Sequence, residues 1–109
     1  PFHCSLMGPA LDRLTPELDA ISFEDLKTPL VNNVSAAIVL TGAEAREGLK
    51  RQVPNPVLWE QSIRRLAAEG VDSFLEVGPG RVLTGLLRSI DRALEGSAVG
   101  DLAGLEKLS

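Results

Sequence analysis

A single histidine near the start of the chain is the residue best suited to proton transfer. It is His3, in the sequence Phe2-His3-Cys4-Ser5. If an apolar helical pattern is extended back to it, His3 lies near the centre of an inward-facing arc at a helix N-terminus. A helix N-terminus disfavours added positive charge, so a neutral imidazole there could act as a base. A satisfied, partly buried structural histidine is the alternative.

The neighbouring thiol is expected to be structural. Cys4 is the only cysteine, so an internal disulfide is excluded, and one Cys with one His leaves no zinc site of familiar spacing. Adjacent residues on a helix point about 100° apart, so Cys4 and His3 would form a poor nucleophile pair. A Cys–His hydrolase built on Cys4 is a third, separate hypothesis. The lone cysteine fits a reducing, cytoplasmic setting.

The end of a later predicted helix offers a main-chain acceptor. Gln52 falls within about 60° of Ala45 and Leu49 on that helix, so it belongs to the inward stripe. A helix-terminal residue has a backbone carbonyl without an in-helix partner, and such a carbonyl could hold a histidine N–H. A surface or capping role for Gln52 is the alternative.

A glycine-rich turn could bind an anion. Gly78-Pro79-Gly80 joins a predicted strand to a helix, and the exposed amides of that helix start could cradle a negative charge. Leu83 stands where a dinucleotide fingerprint would have its third glycine, and the Gly-Lys-Ser/Thr of a phosphate loop is absent. A tight strand-to-helix turn without a ligand is the simpler interpretation.

Two further groups of polar residues have a structural and a binding interpretation. Arg81, Arg88 and Arg92 form a narrow stripe on one helix, which could dock an acidic protein or serve as a solvated face. Asn32 and Asn33 end a predicted strand, where ligands gather in α/β sheets and where turns also form.

Composition limits the class of protein. The chain has 109 residues, of which 44% are hydrophobic and 24% charged, as in one globular domain or part of one. Fifteen acidic residues against eleven basic ones give a net charge of −4, so nucleic acid is not an expected partner. No membrane span or secretory signal is predicted, because apolar runs such as residues 36–40 are far too short.

Hydrophobic spacing predicts an α/β fold of parallel strands with crossover helices. The first helix, over 3–21, has an inward face made of Leu6, Met7, Ala10, Leu11, Leu14, Leu18 and Ile21. Pro16 is expected to kink or split this helix, with Thr15 capping the second half. The later elements are a strand over 30–34, helices over 41–52 and 59–70, a buried strand over 71–77, a helix over 82–94, an edge strand over 97–99 and a short helix over 102–108. Thr41 and Glu44 form a capping box at the start of the second helix, and Gly70 caps the end of the third.

Four segments closely resemble the C-terminal part of the malonyl-CoA:acyl carrier protein transacylase family. They are Phe2-His3-Cys4-Ser5-Leu6-Met7-Gly8-Pro9-Ala10, Pro29-Leu30-Val31-Asn32-Asn33-Val34, Arg51-Gln52 with Pro56-Val57 and Trp59, and Glu76-Val77-Gly78-Pro79-Gly80-Arg81-Val82-Leu83-Thr84-Gly85-Leu86. Their order and spacing match the family from the first residue to about Ile90, which makes the set far more specific than any one segment.

The resemblance implies that residues 1–109 are the C-terminal part of an α/β-hydrolase-like acyltransferase core. The nucleophile-bearing N-terminal portion and a small ferredoxin-like subdomain would then be absent from this sequence. The family moves a malonyl group from coenzyme A to acyl carrier protein in fatty acid biosynthesis. Malonyl-CoA, acyl carrier protein and the missing N-terminal portion are therefore the implied partners. The coenzyme A thioester is a substrate, and no cofactor or metal is expected.

The resemblance also implies the roles of two residues. His3 matches the family's catalytic histidine, and Gln52 matches the position whose main-chain carbonyl orients that histidine. No Gly-x-Ser-x-Gly nucleophile elbow occurs in this sequence, so the isolated chain is expected to be inactive. The alternative is a nonenzymatic α/β module that docks an acidic carrier protein through Arg81, Arg88 and Arg92.

Overall fold

The computed structural model describes residues 1–108, which form two compact units. One unit is Pro1–Arg65, and the other begins at Leu66. A 3-10 turn at Ser5–Met7 precedes the regular elements. These are α1 (Gly8–Ala20), β1 (Leu30–Val31), β2 (Ile38–Val39), α2 (Gly42–Gln52), α3 (Trp59–Ala68), β3 (Ser73–Val77), α4 (Val82–Ile90), β4 (Glu95–Val99) and α5 (Leu102–Glu106).

The first helix begins later than its apolar pattern predicts and is not split. α1 starts at Gly8, with a proline in its first turn, where the missing N–H costs nothing. The helix continues through Pro16. Thr15 does not cap a second half, because its hydroxyl donates to the carbonyl of Leu11 at 2.8 Å within the same helix.

The predicted inward face of this helix is mostly exposed. Leu18 is its one buried member, whereas Leu6, Leu14 and Ile21 are exposed. The expectation of a buried face is therefore wrong for the described residues. Helical periodicity determines which side chains share a face, but it does not determine what covers that face.

A short antiparallel hairpin follows α1. β1 pairs with β2 in the register Leu30↔Val39 and Val31↔Ile38. The predicted strand over 30–34 is therefore shorter, and β2 was not predicted. Asn32 ends the strand by forming a turn, because its Oδ1 accepts from the N–H of Ser35 at 2.9 Å and from its hydroxyl at 2.7 Å.

The capping box at the start of α2 is confirmed. The N–H of Glu44 donates to the hydroxyl oxygen of Thr41 at 3.3 Å, and the N–H of Thr41 donates to the Glu44 carboxylate at 3.2 Å. Hydrogen bonds from the Thr41 side chain and from nearby backbone N–H groups lower the pKa of Glu44. α2 then runs to Gln52, as predicted.

The second unit contains the predicted parallel sheet. β3 and β4 pair in parallel, from Ser73↔Glu95 to Val77↔Val99. Gly70, with φ of 91°, lies just beyond α3, so the predicted glycine stop is confirmed. α4 ends at Ile90 rather than Leu94, and β4 begins two residues earlier than the predicted edge strand.

α4 covers one face of this two-stranded sheet. A side chain at Gly96 would meet Leu87 at 2.9 Å and Thr84 at 3.1 Å, so glycine allows the helix to approach the strand closely. On the alternate positions of β3, Leu75 and Val77 are 46% and 77% exposed. The prediction of a buried strand is therefore wrong for these residues.

Residues 1–108 contain neither a membrane-spanning helix nor a cluster of metal-binding side chains. None of the helices there is both long enough and apolar enough to span a bilayer. The same residues contain no cluster of three or more His, Cys, Asp or Glu side chains that could hold a metal ion.

Candidate active site

The imidazole of His3 forms a hydrogen bond with the end of α2. Its Nδ1 lies 2.8 Å from the main-chain oxygen of Gln52, 49 residues further along the chain. A carbonyl oxygen can only accept, so Nδ1 must carry the proton in this contact. In the neutral ring the other nitrogen, Nε2, is then an acceptor with a free lone pair.

The backbone at His3 differs from the predicted helix. His3 has φ of 55°, in the left-handed region, and it precedes both the 3-10 turn and α1. The predicted position on the inward arc of a helix is therefore wrong, because the chain enters its first turn only after Cys4. For a residue other than glycine such a φ costs about 1–3 kcal/mol, and it persists where neighbouring contacts fix it.

The acceptor is a helix-terminal carbonyl. Gln52 is the last residue of α2, so its carbonyl has no N–H partner within the helix. This confirms the predicted position of Gln52 at a helix end. The oxygen also receives the N–H of Asn55 at a longer 3.4 Å. The main-chain oxygen, rather than the side-chain amide, is therefore the group that contacts the imidazole.

An ion pair joins α1 to α2 close to this end. Nζ of Lys50 lies 2.6 Å from Asp19 in α1 and 3.0 Å from Glu47 in α2. The hydrogen bond with Asp19, followed by that with Glu47, raises the pKa of Lys50. Lys50 is two residues before Gln52, so this pair ties the carbonyl-bearing turn to the helix that follows His3.

The remaining groups around the imidazole leave Nε2 open. His3 is exposed, and no hydrogen bond to its Nε2 is formed by residues 1–108. Cys4 is half-buried, and its Sγ lies 3.9 Å from the carbonyl oxygen of Pro1. In the described chain no hydrogen bond joins the thiol to the imidazole, so the geometry does not pair Cys4 with His3.

The helix start after Gly78-Pro79-Gly80 is already occupied by a carboxylate of the chain itself. Oε1 of Glu76 accepts from the N–H of Leu83 at 3.1 Å, and its Oε2 accepts from the N–H and hydroxyl of Thr84. The backbone N–H of Thr84, followed by its hydroxyl, lowers the pKa of Glu76. These amides are therefore not available as a cradle for an external anion.

Sequence patterns did not single out Glu76. The available signal was an acidic residue close before a helix N-terminus, where negative charge is favoured. The contact of Glu76 with Thr84 could not be predicted from their spacing in the sequence. It depends on the path of the turn between them, in which Gly78 and Gly80 have φ of 137° and 94°.

The predicted arginine stripe does not lie along one helix. Arg81 immediately precedes α4, Arg88 lies within it, and Arg92 follows its end at Ile90. All three side chains are exposed. Arg88 and Arg92 line an open cavity of about 920 Å³ that also has acidic residues in its wall.

The two asparagines have different environments. Asn32 is the turn former described above. The main-chain oxygen of Asn33 accepts from the N–H of Leu58 at 2.7 Å, which joins the hairpin turn to the segment before α3. Its side-chain Oδ1 is buried and has no hydrogen-bond partner in residues 1–108. Neither side chain contacts His3 or Gln52 through a hydrogen bond.

Comparison with known proteins identifies the family. No protein-family profile matches the chain. The malonyl CoA-acyl carrier protein transacylase of Bacillus subtilis strain 168 is 43% identical over 106 residues, which are 97% of this chain and 33% of that protein. Its counterpart in Salmonella typhimurium is 46% identical over 105 residues, 96% of this chain and 34% of the relative. The chain belongs to the malonyl-CoA:acyl carrier protein transacylase family. It spans about a third of the length of these relatives and corresponds to a C-terminal portion of them.

Solved structures of the family have the same fold over this length. The acyl carrier protein S-malonyltransferase of Vibrio cholerae aligns with a TM-score of 0.91 and 38% identity, over 100% of this chain and 36% of that one. A malonyl transacylase solved in complex with its type II PKS acyl carrier protein aligns with a TM-score of 0.90 and 43% identity, over 98% and 35% of the two chains. The predicted α/β fold of a transacylase portion, with parallel strands, is therefore confirmed. The domain assignment and the roles of His3 and Gln52 stay predictions.

Proposed function

We propose that this chain supplies the general base of an acyltransferase that moves a malonyl group from malonyl-CoA to acyl carrier protein. The observation that supports the proposal is the 2.8 Å contact between Nδ1 of His3 and the carbonyl oxygen of Gln52. Because Nδ1 contacts the end of α2, the lone pair of Nε2 points away from that helix. Nε2 is then available to accept a proton. The activities named for the relatives in Bacillus subtilis and Salmonella typhimurium supply the substrate class.

In the first half-reaction, Nε2 of His3 takes the proton of a serine hydroxyl that the family carries outside this chain. The serine oxygen attacks the thioester carbonyl carbon of malonyl-CoA, and the bond from that carbon to sulfur breaks. The coenzyme A thiolate takes the proton from the imidazolium and leaves as a thiol. The malonyl group is then an ester of the serine.

In the second half-reaction, Nε2 takes the proton of the carrier protein's pantetheine thiol. The sulfur attacks the ester carbonyl carbon, the bond to the serine oxygen breaks, and the serine recovers its proton from His3. The Gln52 carbonyl keeps the proton of Nδ1 in place throughout, as an aspartate does in a Ser-His-Asp triad. A carbonyl is uncharged, so it stabilises the imidazolium less strongly than a carboxylate does.

We expect this chain alone to be inactive, because its sequence has no nucleophile elbow. Malonyl transfer by the purified chain, lost when His3 is replaced, would contradict this part. The positive test is a chimaera in which this chain replaces the matching third of the Bacillus subtilis relative. We expect that chimaera to transfer malonyl groups from malonyl-CoA to acyl carrier protein.

The His3→Ala variant of the chimaera tests the general base. It should be about 10²–10⁴-fold slower, the range that general acid–base catalysis contributes. Cys4→Ala is the matched control at the adjacent position, and it should retain the activity of the parent. An active chimaera in which His3→Ala has no effect would refute the proposed role of His3.

A further inference from the structure

The turn after α2 contains an asparagine that holds the last carbonyls of the helix. Nδ2 of Asn55 donates to the main-chain oxygen of Arg51 at 2.6 Å, and the backbone N–H of Asn55 donates to the oxygen of Gln52 at 3.4 Å. Two consecutive carbonyls at the end of α2 thus receive hydrogen bonds from one residue. One of them is the carbonyl that contacts His3.

The flanking sequence makes Asn55 the natural donor for these carbonyls. Pro54 and Pro56 have no N–H, so Asn55 supplies the one backbone donor of the three-residue segment 54–56. Pro56 also restricts the residue before it to extended conformations. The backbone at Asn55 is therefore partly fixed before the helix end forms, which favours a defined direction for its side-chain amide.

The last turn of a helix frays unless its free carbonyls find partners. The contact with the Arg51 carbonyl fixes the peptide plane before Gln52, and the backbone N–H of Asn55 holds the Gln52 oxygen in the plane after it. Asn55 therefore restrains the backbone on both sides of Gln52. We propose that Asn55 is a positioning residue for the candidate active site: it fixes the direction of the Gln52 carbonyl and thereby keeps the proton of His3 on Nδ1. This inference rests on the proposed function of His3, because it concerns the state in which Nε2 is the free base.

The chain contains a single histidine, so magnetic resonance can observe the imidazole of His3 without assignment ambiguity. The experiment labels histidine with ¹⁵N and records the chemical shifts of both ring nitrogens in alkaline buffer. In the wild-type chain, Nδ1 should have the shift of a protonated nitrogen and Nε2 that of an unprotonated one. In Asn55→Ala, the tautomer with its proton on Nε2 should become populated. The two chemical shifts should then move toward each other.

A matched control separates positioning from stability. Thr41→Ala removes the cap at the opposite end of the same helix, where the hydroxyl of Thr41 accepts from Glu44. It should destabilise α2 while leaving the nitrogen shifts of His3 unchanged. Asn55→Asp provides a second variant of the same size, in which the side chain can no longer donate. It should shift the nitrogens as Asn55→Ala does, so the test does not depend on the folding of one variant.

The outcomes separate this inference from the proposed function. If wild-type His3 is protonated on Nδ1 and both Asn55 variants leave that state unchanged, Asn55 is not a positioning residue and the function of His3 is unaffected. If the wild-type chain already has its proton on Nε2, the proposed general base fails as well. If Thr41→Ala shifts the nitrogens as far as Asn55→Ala, the effect belongs to the stability of α2 and the inference is overturned.

Discussion

The carboxylate of Glu76 holds the first turn of α4 through Thr84. Its Oε2 accepts both the backbone N–H of Thr84, at 2.8 Å, and the Thr84 hydroxyl, at 2.7 Å. Glu76 lies in β3, so this contact ties the strand to the helix that follows the glycine turn. The residue directly before the helix, Arg81, makes no side-chain cap. Glu76 therefore replaces a conventional N-cap and places a negative charge where the helix favours one.

This contact predicts an acid-sensitive fold. The pKa of Glu76 is lowered from its ordinary value of 4.5, first by the backbone N–H of Thr84. Because this pKa is depressed, the contribution of Glu76 to the free energy of unfolding is fully present above the unfolded-state pKa. It is lost as the pH falls through the folded-state pKa.

Urea unfolding between pH 7 and pH 3 should show this loss. Glu76→Gln should be less stable at pH 7 and should lose less stability on acidification, whereas the control Glu95→Gln should follow the wild type. Parallel curves for Glu76→Gln and the wild type would contradict this assignment.

A buried glycine at the start of α2 should not tolerate a side chain. A Cβ at Gly42 would overlap the backbone carbonyl of Phe23, and the Gly42 N–H donates to Asp25 at 3.1 Å. Gly42→Ala should therefore lower the free energy of unfolding by about 1–3 kcal/mol, as overpacking of a close contact does. Gly8→Ala is the control, because nothing lies within 4 Å of its added Cβ. Thermal melts of both variants would show whether Gly42→Ala is the more destabilising.

The side chain of Gln52 should be dispensable for transfer. The atom that contacts His3 is the main-chain oxygen, which Gln52→Ala retains. In the chimaera with the Bacillus subtilis relative, this variant should keep its malonyl-transfer rate within about threefold, near the roughly 0.5 kcal/mol typical of a neutral substitution. A loss as large as that of His3→Ala would mean that the side-chain amide takes part in the site.

The exposed arginines distinguish the enzyme from a carrier-docking module. Arg81, Arg88 and Arg92 are all exposed, and acidic residues share the cavity wall with Arg88 and Arg92. We therefore expect the triple Arg→Glu variant of the chimaera to weaken carrier binding only through its greater negative charge, and to retain the malonyl-transfer rate at saturating carrier. Binding that survives His3→Ala but is lost in the triple variant would favour the nonenzymatic module instead.

The uncovered face of β3 should make the isolated chain associate. Leu75 and Val77 are exposed on the side of the sheet opposite α4, and exposed apolar faces and strand edges promote self-association. Sedimentation of the chain should show oligomers, and a double variant with Leu75→Lys and Val77→Lys should contain more monomer. A wild-type chain that sediments as a compact monomer and unfolds cooperatively would contradict this expectation.

Local signals in the sequence predicted several elements correctly. Thr41 with Glu44, and Gly70, act through hydrogen bonds or φ preferences within a few residues, so their patterns predict a helix start and a helix end directly. The family likewise follows from motifs in register. Leu94 is an example of an error at a boundary: its helical spacing with the residues of α4 extends past the turn where the helix ends at Ile90.

The family and the α/β fold with parallel strands could therefore be predicted from the sequence, and the resemblance proposes His3 and Gln52 for the site. Three features became visible only in the folded chain. His3 lies outside the helix with a left-handed backbone, the Gln52 oxygen and Asn55 meet at one helix end, and Glu76 occupies the amides of α4. The physical reason is distance along the chain. Steric and hydrogen-bonding preferences act over a few residues, whereas the direction of a side chain toward a partner 49 residues away depends on how whole helices pack.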